Sequence, residues 1–281
     1  MDFEEGTLYL CATPIGNLSD ISMRVIDTLK EADLIAAEDT RNSIKLLNRY
    51  EIKTPMTSYH EHNKYDKAQE LIRQMKEGKN IALITDAGTP AISDPGEVLV
   101  RMCHEAGIRI TSLPGPCALI TALTLSGMSA RRFCFEGFLP AEKKERREVL
   151  KMLATETRTV ILYEAPHHLK ETLAQLFDAM GDRQLTICRE LTKTHESSFL
   201  TTLSGAIAYY GENEPRGEYV LVIKGLDPEV QKKEEQEAWK EMPLEKHMAM
   251  YEEQGLDRKE CMKRVAMDRG ISKREVYQQL L

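Results

Sequence analysis

Over residues 7–113, short runs of apolar and β-branched residues alternate with longer stretches whose apolar positions recur every three or four residues. The short runs predict buried strands at residues 7–12, 34–37, 56–59, 81–85 and 108–113. The longer stretches predict helices at 22–31, 40–50, 64–77 and 97–106, the last two closing at Gly78 and Gly107. A chain alternating in this way builds a mainly parallel sheet covered by helices. The rhythm changes after Pro114, Gly115 and Pro116. Residues 117–125, 145–154 and 169–180 predict helices, and residues 132–137, 159–163, 185–189, 197–203 and 219–224 predict strands. Residues 225–239 are polar and acidic and predict a linker. The tail beyond is helical, and Gly270 separates two helical stretches at a helix-turn-helix spacing. The expected fold class is α/β, with α/β domains at 1–115 and 116–226, a linker at 227–240 and a small helix-turn-helix-like domain at 241–281.

The chain has 281 residues, 42% hydrophobic and 30% charged, an ordinary soluble balance with enough material for a packed core. No apolar run is long enough to cross a bilayer. The acidic start Met1, Asp2, Phe3, Glu4 and Glu5 lacks a basic stretch before an apolar one, which speaks against a secretory leader. A cytoplasmic protein with no membrane partner is expected. The six cysteines form no CxxC pair, and several sit in apolar runs, so they read as free thiols in a reducing compartment. No metal site is expected. His60 and His62 are spaced like a ligand pair, but the spacing offers no third ligand.

A net charge of −7 speaks mildly against nucleic acid as partner, yet the charge is uneven. Arg131, Arg132, Lys143, Lys144, Arg146, Arg147 and Lys151 form one basic segment. Arg258, Lys259, Lys263, Arg264, Arg269, Lys273 and Arg274 form another, offset by Glu234, Glu235, Glu237, Glu241 and Glu245. A locally basic face binds RNA on an acidic chain. The bland alternative for each cluster is solvated helix surface.

Three loops rich in glycine and proline each follow a predicted strand: TPIGNL at 13–18, DAGTP at 86–90 running on to Asp94, Pro95 and Gly96, and PGPC at 114–117. In an open parallel sheet such loops meet at the carboxyl edge, where ligands bind. Neither GxxxxGK[ST] nor a GxGxxG after the first strand is present, which disfavours an ATPase or a dinucleotide oxidoreductase. Ionisable residues cluster at the same strand ends: Glu38, Asp39 and Arg41; His60, Glu61 and His62; Arg189, Glu190 and Lys193. For Glu38, Asp39 and Arg41 helix capping with an ion pair is an equal alternative. Tyr163 and Glu164 read as a strand-end turn.

The runs ATPIGNLSDI at 12–21, AEDTR at 37–41, DAGTP at 86–90, LPGPC at 113–117, FEGFLP at 135–140 and RELTK at 189–193 resemble the tetrapyrrole methylase superfamily over residues 8–225. They are similar in particular to its branch that methylates a ribose 2′-hydroxyl in small-subunit ribosomal RNA. The helical tail resembles that branch's appended domain more weakly. The resemblance implies the tetrapyrrole methylase fold, with S-adenosylmethionine in the cleft between two α/β domains, usually in a homodimer. It implies 16S ribosomal RNA, within the 30S subunit, as substrate, with the methyl placed on a cytidine 2′-oxygen in the decoding centre. Carried over by position, cofactor contacts fall on Pro14, Gly16, Gly88, Ile92, Asp94, Thr121, Ala122, Tyr163, Leu191 and Gly217, with Asp86 shaping its loop.

The implied reaction needs the ribose oxygen in line with the methyl and sulfur, and a base for its proton. Glu38, Asp39, His62 and Glu190 are the candidate bases, with Arg41 or Lys193 to lower the oxygen's pKa; Asp39 paired with Arg41 is preferred. Lys143, Lys144, Arg146, Arg147, Lys273 and Arg274 are the expected phosphate contacts. Two rival readings stay open: carbon methylation of a tetrapyrrole on the same fold, and a non-catalytic RNA-binding assembly factor.

Overall fold

The computed structural model describes residues 5–280, and for Gln231, Glu234 and Glu235 the backbone alone. The acidic start on which the expectation about a leader rests lies largely outside the described residues, as does Leu281.

The first half forms one five-stranded parallel sheet. Its strands are β1 (Thr7–Cys11), β2 (Leu34–Ala37), β3 (Met56–Ser58), β4 (Ile81–Ile84) and β5 (Arg109–Leu113), in the order β3-β2-β4-β1-β5. Alternate side chains serve opposite faces. On β1, Tyr9 and Cys11 pack towards α1 (Met23–Glu31) and α2 (Thr40–Arg49), through Val25, Leu29 and Leu47. Leu8 and Leu10 pack towards α3 (Lys64–Lys76) and α4 (Gly96–Ala106), through Leu71, Met75 and Leu99. Ser22 caps α1 by accepting the Val25 N–H, and Gly107 closes α4 in the left-handed region.

The second half forms a mixed sheet. Its strands are β6 (Phe133–Gly137), β7 (Thr159–Glu164), β8 (Gln184–Arg189), β9 (Ser197–Thr202) and β10 (Tyr219–Ile223), in the order β6-β7-β10-β8-β9. Only β6 and β7 run parallel; the other pairs are antiparallel. One face is covered by α6 (Lys143–Ala154), α7 (Leu169–Met180) and α8 (Leu203–Glu212). The other face is covered by α5 (Ala118–Ser126), whose Leu119, Ala122 and Leu123 join Ile161, Val220 and Ile15 in one apolar cluster. Ile15, from the loop after β1, brings the first half of the chain into that cluster.

Two helices depart from the sequence reading. α8 was not anticipated: Gly205, Gly211 and the adjacent tyrosines mask its periodicity, but Thr202 caps it and Leu203, Ala206 and Tyr210 bury its inner face. The segment read as a linker is a helix, α9 (Pro228–Glu241). Its Asp227 cap and its proline in the first turn are helix-start signals that its polar composition obscured. The tail continues as α10 (Leu244–Glu252), α11 (Arg258–Arg269) and α12 (Lys273–Gln279) around a small core of Met248, Cys261, Val265 and Val276. α9 joins it through Trp239, stacked on the fully buried His247 ring at 4.1 Å.

Candidate active site

The three loops converge. Thr13 and Gly88 exchange backbone hydrogen bonds at 2.9 and 3.1 Å, and Thr89 Oγ1 donates to the Pro116 carbonyl at 2.9 Å. Together with the exits of β7 and β8 and the entry of β10, they enclose a cavity of about 550 Å³ between the two sheets. That is an ordinary size for a cofactor site. At Gly88, with φ at +88°, an added Cβ would come within 3.3 Å of Ile15, so loop and wall already touch.

Backbone strain concentrates on the same loops. Among the described residues, the non-glycine ones in the left-handed region are Glu51, Ala91, Glu190 and Thr192, and the last three belong to the loops around the cavity. Ala91 is held by Asp94, whose Oδ1 accepts the N–H groups of Ala91 and Gly96 at 3.0 and 2.8 Å. Such conformations persist only where surrounding contacts over-determine them, and they cluster at functional sites.

Of the cofactor-contact candidates, Asp86, Gly88, Ile92, Asp94, Tyr163 and Leu191 line the cavity. Pro14, Gly16, Thr121, Ala122 and Gly217 do not. Gly16 instead abuts the β8 exit, where a Cβ would meet Lys193 Cγ at 2.5 Å, and Asn17 donates to Thr192 Oγ1 at 3.0 Å. Thr121 hydrogen-bonds within α5 and Ala122 lies in the apolar cluster between α5 and the second sheet; Cys117 and Ala118, one turn earlier, face the cavity. Gly217 backs Glu190, whose Cγ a Cβ there would meet at 2.4 Å.

Among the candidate bases, Glu38 lines the cavity and Asp39, His62 and Glu190 do not. The preferred base is weakened by its own partner. Asp39 caps α2 and takes the Arg41 guanidinium in a fork at 3.1 and 2.8 Å, which holds its carboxyl at about 2, well below the usual range. A carboxylate so stabilised is a weak base. Burial works to raise the Glu190 carboxyl, but the Lys193 ammonium at 2.8 Å and the Glu218 N–H at 2.9 Å outweigh it and leave it lowered. His62 is exposed and packs edge-on to His60.

Asp86 behaves differently. Partial desolvation pushes its carboxyl above the ordinary value, repulsion from Glu38 adds to this, and the Asn42 amide and Asp39 N–H act against it. Glu38 Oε2 accepts the Thr85 hydroxyl at 2.6 Å and faces the Asp86 N–H at 3.4 Å. Glu38 and Asp86 are thus two neighbouring carboxylates on the cavity wall.

The sequence reading also missed Glu164 and Phe138. Glu164, only 5% exposed, lines the cavity. Its Oε1 accepts the Ala165 N–H at 2.7 Å, and its Oε2 accepts the Thr172 hydroxyl at 2.5 Å. Thr172 in turn accepts Arg146 Nη2 at 2.7 Å, while Arg146 Nε donates to Gln175 at 2.6 Å. Arg146 is therefore tied inward behind the cavity, not presented as a phosphate contact. Lys143, Lys144, Arg147 and Arg274 are exposed, and Lys273 is half-buried. Phe138, on the run after β6, stands 55% exposed at the cavity and packs edge-on to Tyr163 at 5.7 Å. Tyr163 OH accepts the Leu119 N–H at 3.2 Å, satisfying an open donor at the start of α5.

The family of Tetrapyrrole (Corrin/Porphyrin) Methylases matches residues 7–207. A protein of Synechocystis sp. named ribosomal RNA small subunit methyltransferase I is 47% identical over 274 residues, covering 97% of this chain and 96% of its own length. The Bacillus subtilis protein of the same name is 46% identical, covering 97% and 93%. The chain belongs to the ribosomal RNA small subunit methyltransferase I family. Solved structures support the fold alone. Diphthine synthase superposes with a TM-score of 0.63 at 13% identity, covering 78% of this chain and 90% of that one. Uroporphyrin-III-C-methyltransferase from Thermus thermophilus superposes at 0.56 and 18%, covering 77% and 94%.

The donor set defines what suits the cavity. Among the described residues, Glu38, Asp86, Asp94, Glu164 and Glu218 line it against a single cation, Lys193, which two carboxylates already engage. A wall of that sign repels phosphates and favours a cationic ligand. The remaining lining is largely apolar or backbone, including Ile15, Ile92, Tyr163 and Leu191. Such a lining fits the sulfonium cofactor that the family resemblance implies.

Proposed function

We propose that the cavity holds S-adenosylmethionine and that the chain transfers its methyl group to a ribose 2′-hydroxyl of small-subunit ribosomal RNA. The observation that carries this reading is the acidic, phosphate-averse cavity at the carboxyl edge, in a chain whose relatives bear the rRNA methyltransferase name over nearly their whole length. When bound, the cofactor supplies a methyl group already activated by its sulfonium. The protein's part is to position the acceptor and manage one proton. Positioning alone contributes up to roughly 7–11 kcal/mol to such reactions.

Ile15, Gly88, Ile92, Tyr163 and Leu191 form the apolar and backbone walls for the cofactor. Asp94 keeps the loop over them in shape. Asp86 takes the proton of the attacking hydroxyl, because its raised pKa moves it towards the operating range of a general base. Partial burial raises it, and Glu38 beside it adds to the rise. Lys193, between Glu190 and Glu218, bounds the cavity on the second-sheet side. The working setting is a cytoplasmic homodimer acting on RNA within the 30S subunit. None of the described helices is long and apolar enough to cross a membrane.

The test gives the purified chain S-adenosylmethionine labelled in its methyl group, with small-subunit RNA or intact subunits. Label on one ribose 2′-oxygen is the expected result. Label on a base, or on neither substrate while the cofactor still binds, would refute the assignment.

A further inference from the structure

A second cavity, of about 790 Å³, lies at the other end of the second sheet. Three strands run between the two cavities. β7 starts at this one, beside Thr157 and Arg158, and ends at the first, with Tyr163 and Glu164. β10 enters at the first with Tyr219 and leaves at the second with Lys224 and Gly225. β8 starts at the second with Gln184 and leads to Leu191 at the first. At roughly 3.3 Å per residue, the six residues of β7 separate the cavities by about 15–20 Å.

The two cavities carry opposite charge. Among the described residues, the first presents five carboxylates and one lysine; the second presents Arg131, Arg132, Arg158 and Lys224 and no carboxylate. Of these four, Arg158 is committed: Glu156 takes its Nε and Nη2 at 2.9 and 2.6 Å, and that fork holds the Glu156 carboxyl at about 2. Arg131, Arg132 and Lys224 have no acidic partner among the described residues. In a chain of net charge −7, three unpaired cations gathered in one concavity call for an anion. The floor is rigid. A Cβ on Gly225 would meet the Thr157 carbonyl at 2.2 Å, and buried Arg183 clamps the carbonyls of Glu156 and Met180 at 2.9 and 3.0 Å.

We propose that this cavity docks the phosphodiester backbone of the RNA substrate, apart from the methyl-transfer cavity. Guanidinium forks beside neutral polar groups such as Ser129 and Gln184 suit phosphate oxygens, and such contacts set the register of a bound strand without reading its sequence. The proposal rests on the reading that RNA is the substrate. It also gives a role to Arg131 and Arg132, the part of the basic segment that lines the second cavity.

The test uses the full chain, a fluorescein-labelled small-subunit rRNA transcript and intact small subunits, titrated over a range of KCl concentrations. In the triple variant R131Q/R132Q/K224Q, affinity at low salt falls at least tenfold. The slope of log Kd against log salt shrinks by about 0.7–0.9 for each lost phosphate contact. The rise in Tm with S-adenosylmethionine is unchanged, which shows an intact fold and first cavity. The charge-keeping variant R131K/R132K retains the wild-type slope and loses only the part of the affinity that the guanidinium forks supply. A triple variant with wild-type affinity and slope overturns the site and leaves the RNA reading standing. So does a triple variant that changes only the sedimentation of the protein, which makes the cavity an interface between copies. A wild-type chain that binds neither transcript nor subunits overturns the RNA reading itself, and this proposal with it.

Discussion

Replacing Thr172 by valine keeps the shape of a fully buried side chain and removes one hydroxyl. That hydroxyl donates to Glu164 at 2.5 Å and accepts Arg146 at 2.7 Å, so it links the cavity carboxylate to helix α6. A hydrogen bond to a charged group contributes about 1.5–3 kcal/mol, and a buried acceptor left without its donor loses that order of free energy. T172V is therefore expected to destabilise the fold by about 1.5–3 kcal/mol, and T172S by much less. For a chain of this size each kcal/mol shifts Tm by roughly 2–4 °C, so T172V melts about 3–12 °C lower. R146A removes the other end of the link and is expected to cost about 1–3 kcal/mol. The double variant falls well short of the sum of the two, because both changes break the same bond. Urea unfolding of the three variants and the wild type measures this directly. T172V within about 0.5 kcal/mol of wild type would refute the network. R146A with unchanged stability but a weakened salt dependence of RNA binding would restore Arg146 to the phosphate contact that its sequence context implies.

Asp86→Asn is expected to slow methyl transfer by about 10²–10⁴-fold, against less than tenfold for Asp39→Asn, and comparable rates for the two in a single-turnover assay would remove Asp86 as the base. The base works ionised, so kcat/KM declines as pH falls through the raised Asp86 value, which puts the acid limb above the ordinary 3.8; a limb at or below it contradicts the assignment. Gly217→Ala meets both a left-handed backbone (φ +80°) and the Glu190 side chain; a loss of at least 1–2 kcal/mol is expected, and an unchanged Tm would show that the loop has slack. Burial holds His247 below its ordinary value near 6.5, against Asp268, which acts in the opposite sense. The unfolded chain thus takes up a proton first as pH drops below about 6.5, and stability around α9–α11 declines there. The single tryptophan, Trp239, stacks on this ring, so its fluorescence in urea follows the transition; His247→Gln flattens the pH slope, and an unaltered slope would contradict the linkage.

The parallel half of the fold was legible because each strand and helix carries its own period, and Ser22 and Gly107 mark ends that the structure keeps. The three loops were legible as one edge for the same reason: strand direction alone places them together. Side-chain commitments were not. Asp39 and Asp86 are both acidic residues at strand ends, and only the folded surroundings part them: the Arg41 fork makes Asp39 a weak base, while partial burial, with Glu38 beside it, raises Asp86. Arg146 sits among Lys143, Lys144 and Arg147 in a run that reads as one basic face, yet helix phase turns it alone towards Thr172 and Gln175. Glu164 looked like part of a turn because nothing local shows that Thr172, eight residues on, returns to meet it. α9 was hidden by its composition, since a helix held through a few contacts such as Trp239 needs no continuous apolar stripe.

The claim on which the rest depends is that the acidic cavity between the sheets is the seat of the methyl donor. A crystal structure of the chain with S-adenosylhomocysteine tests it most directly. The account predicts the thioether ligand between Ile15, the loop from Asp86 to Asp94, and Leu191, with its sulfur on the side of Glu38 and Asp86. Ligand bound outside these walls, above all in the basic cavity beside Arg131 and Lys224, would contradict it.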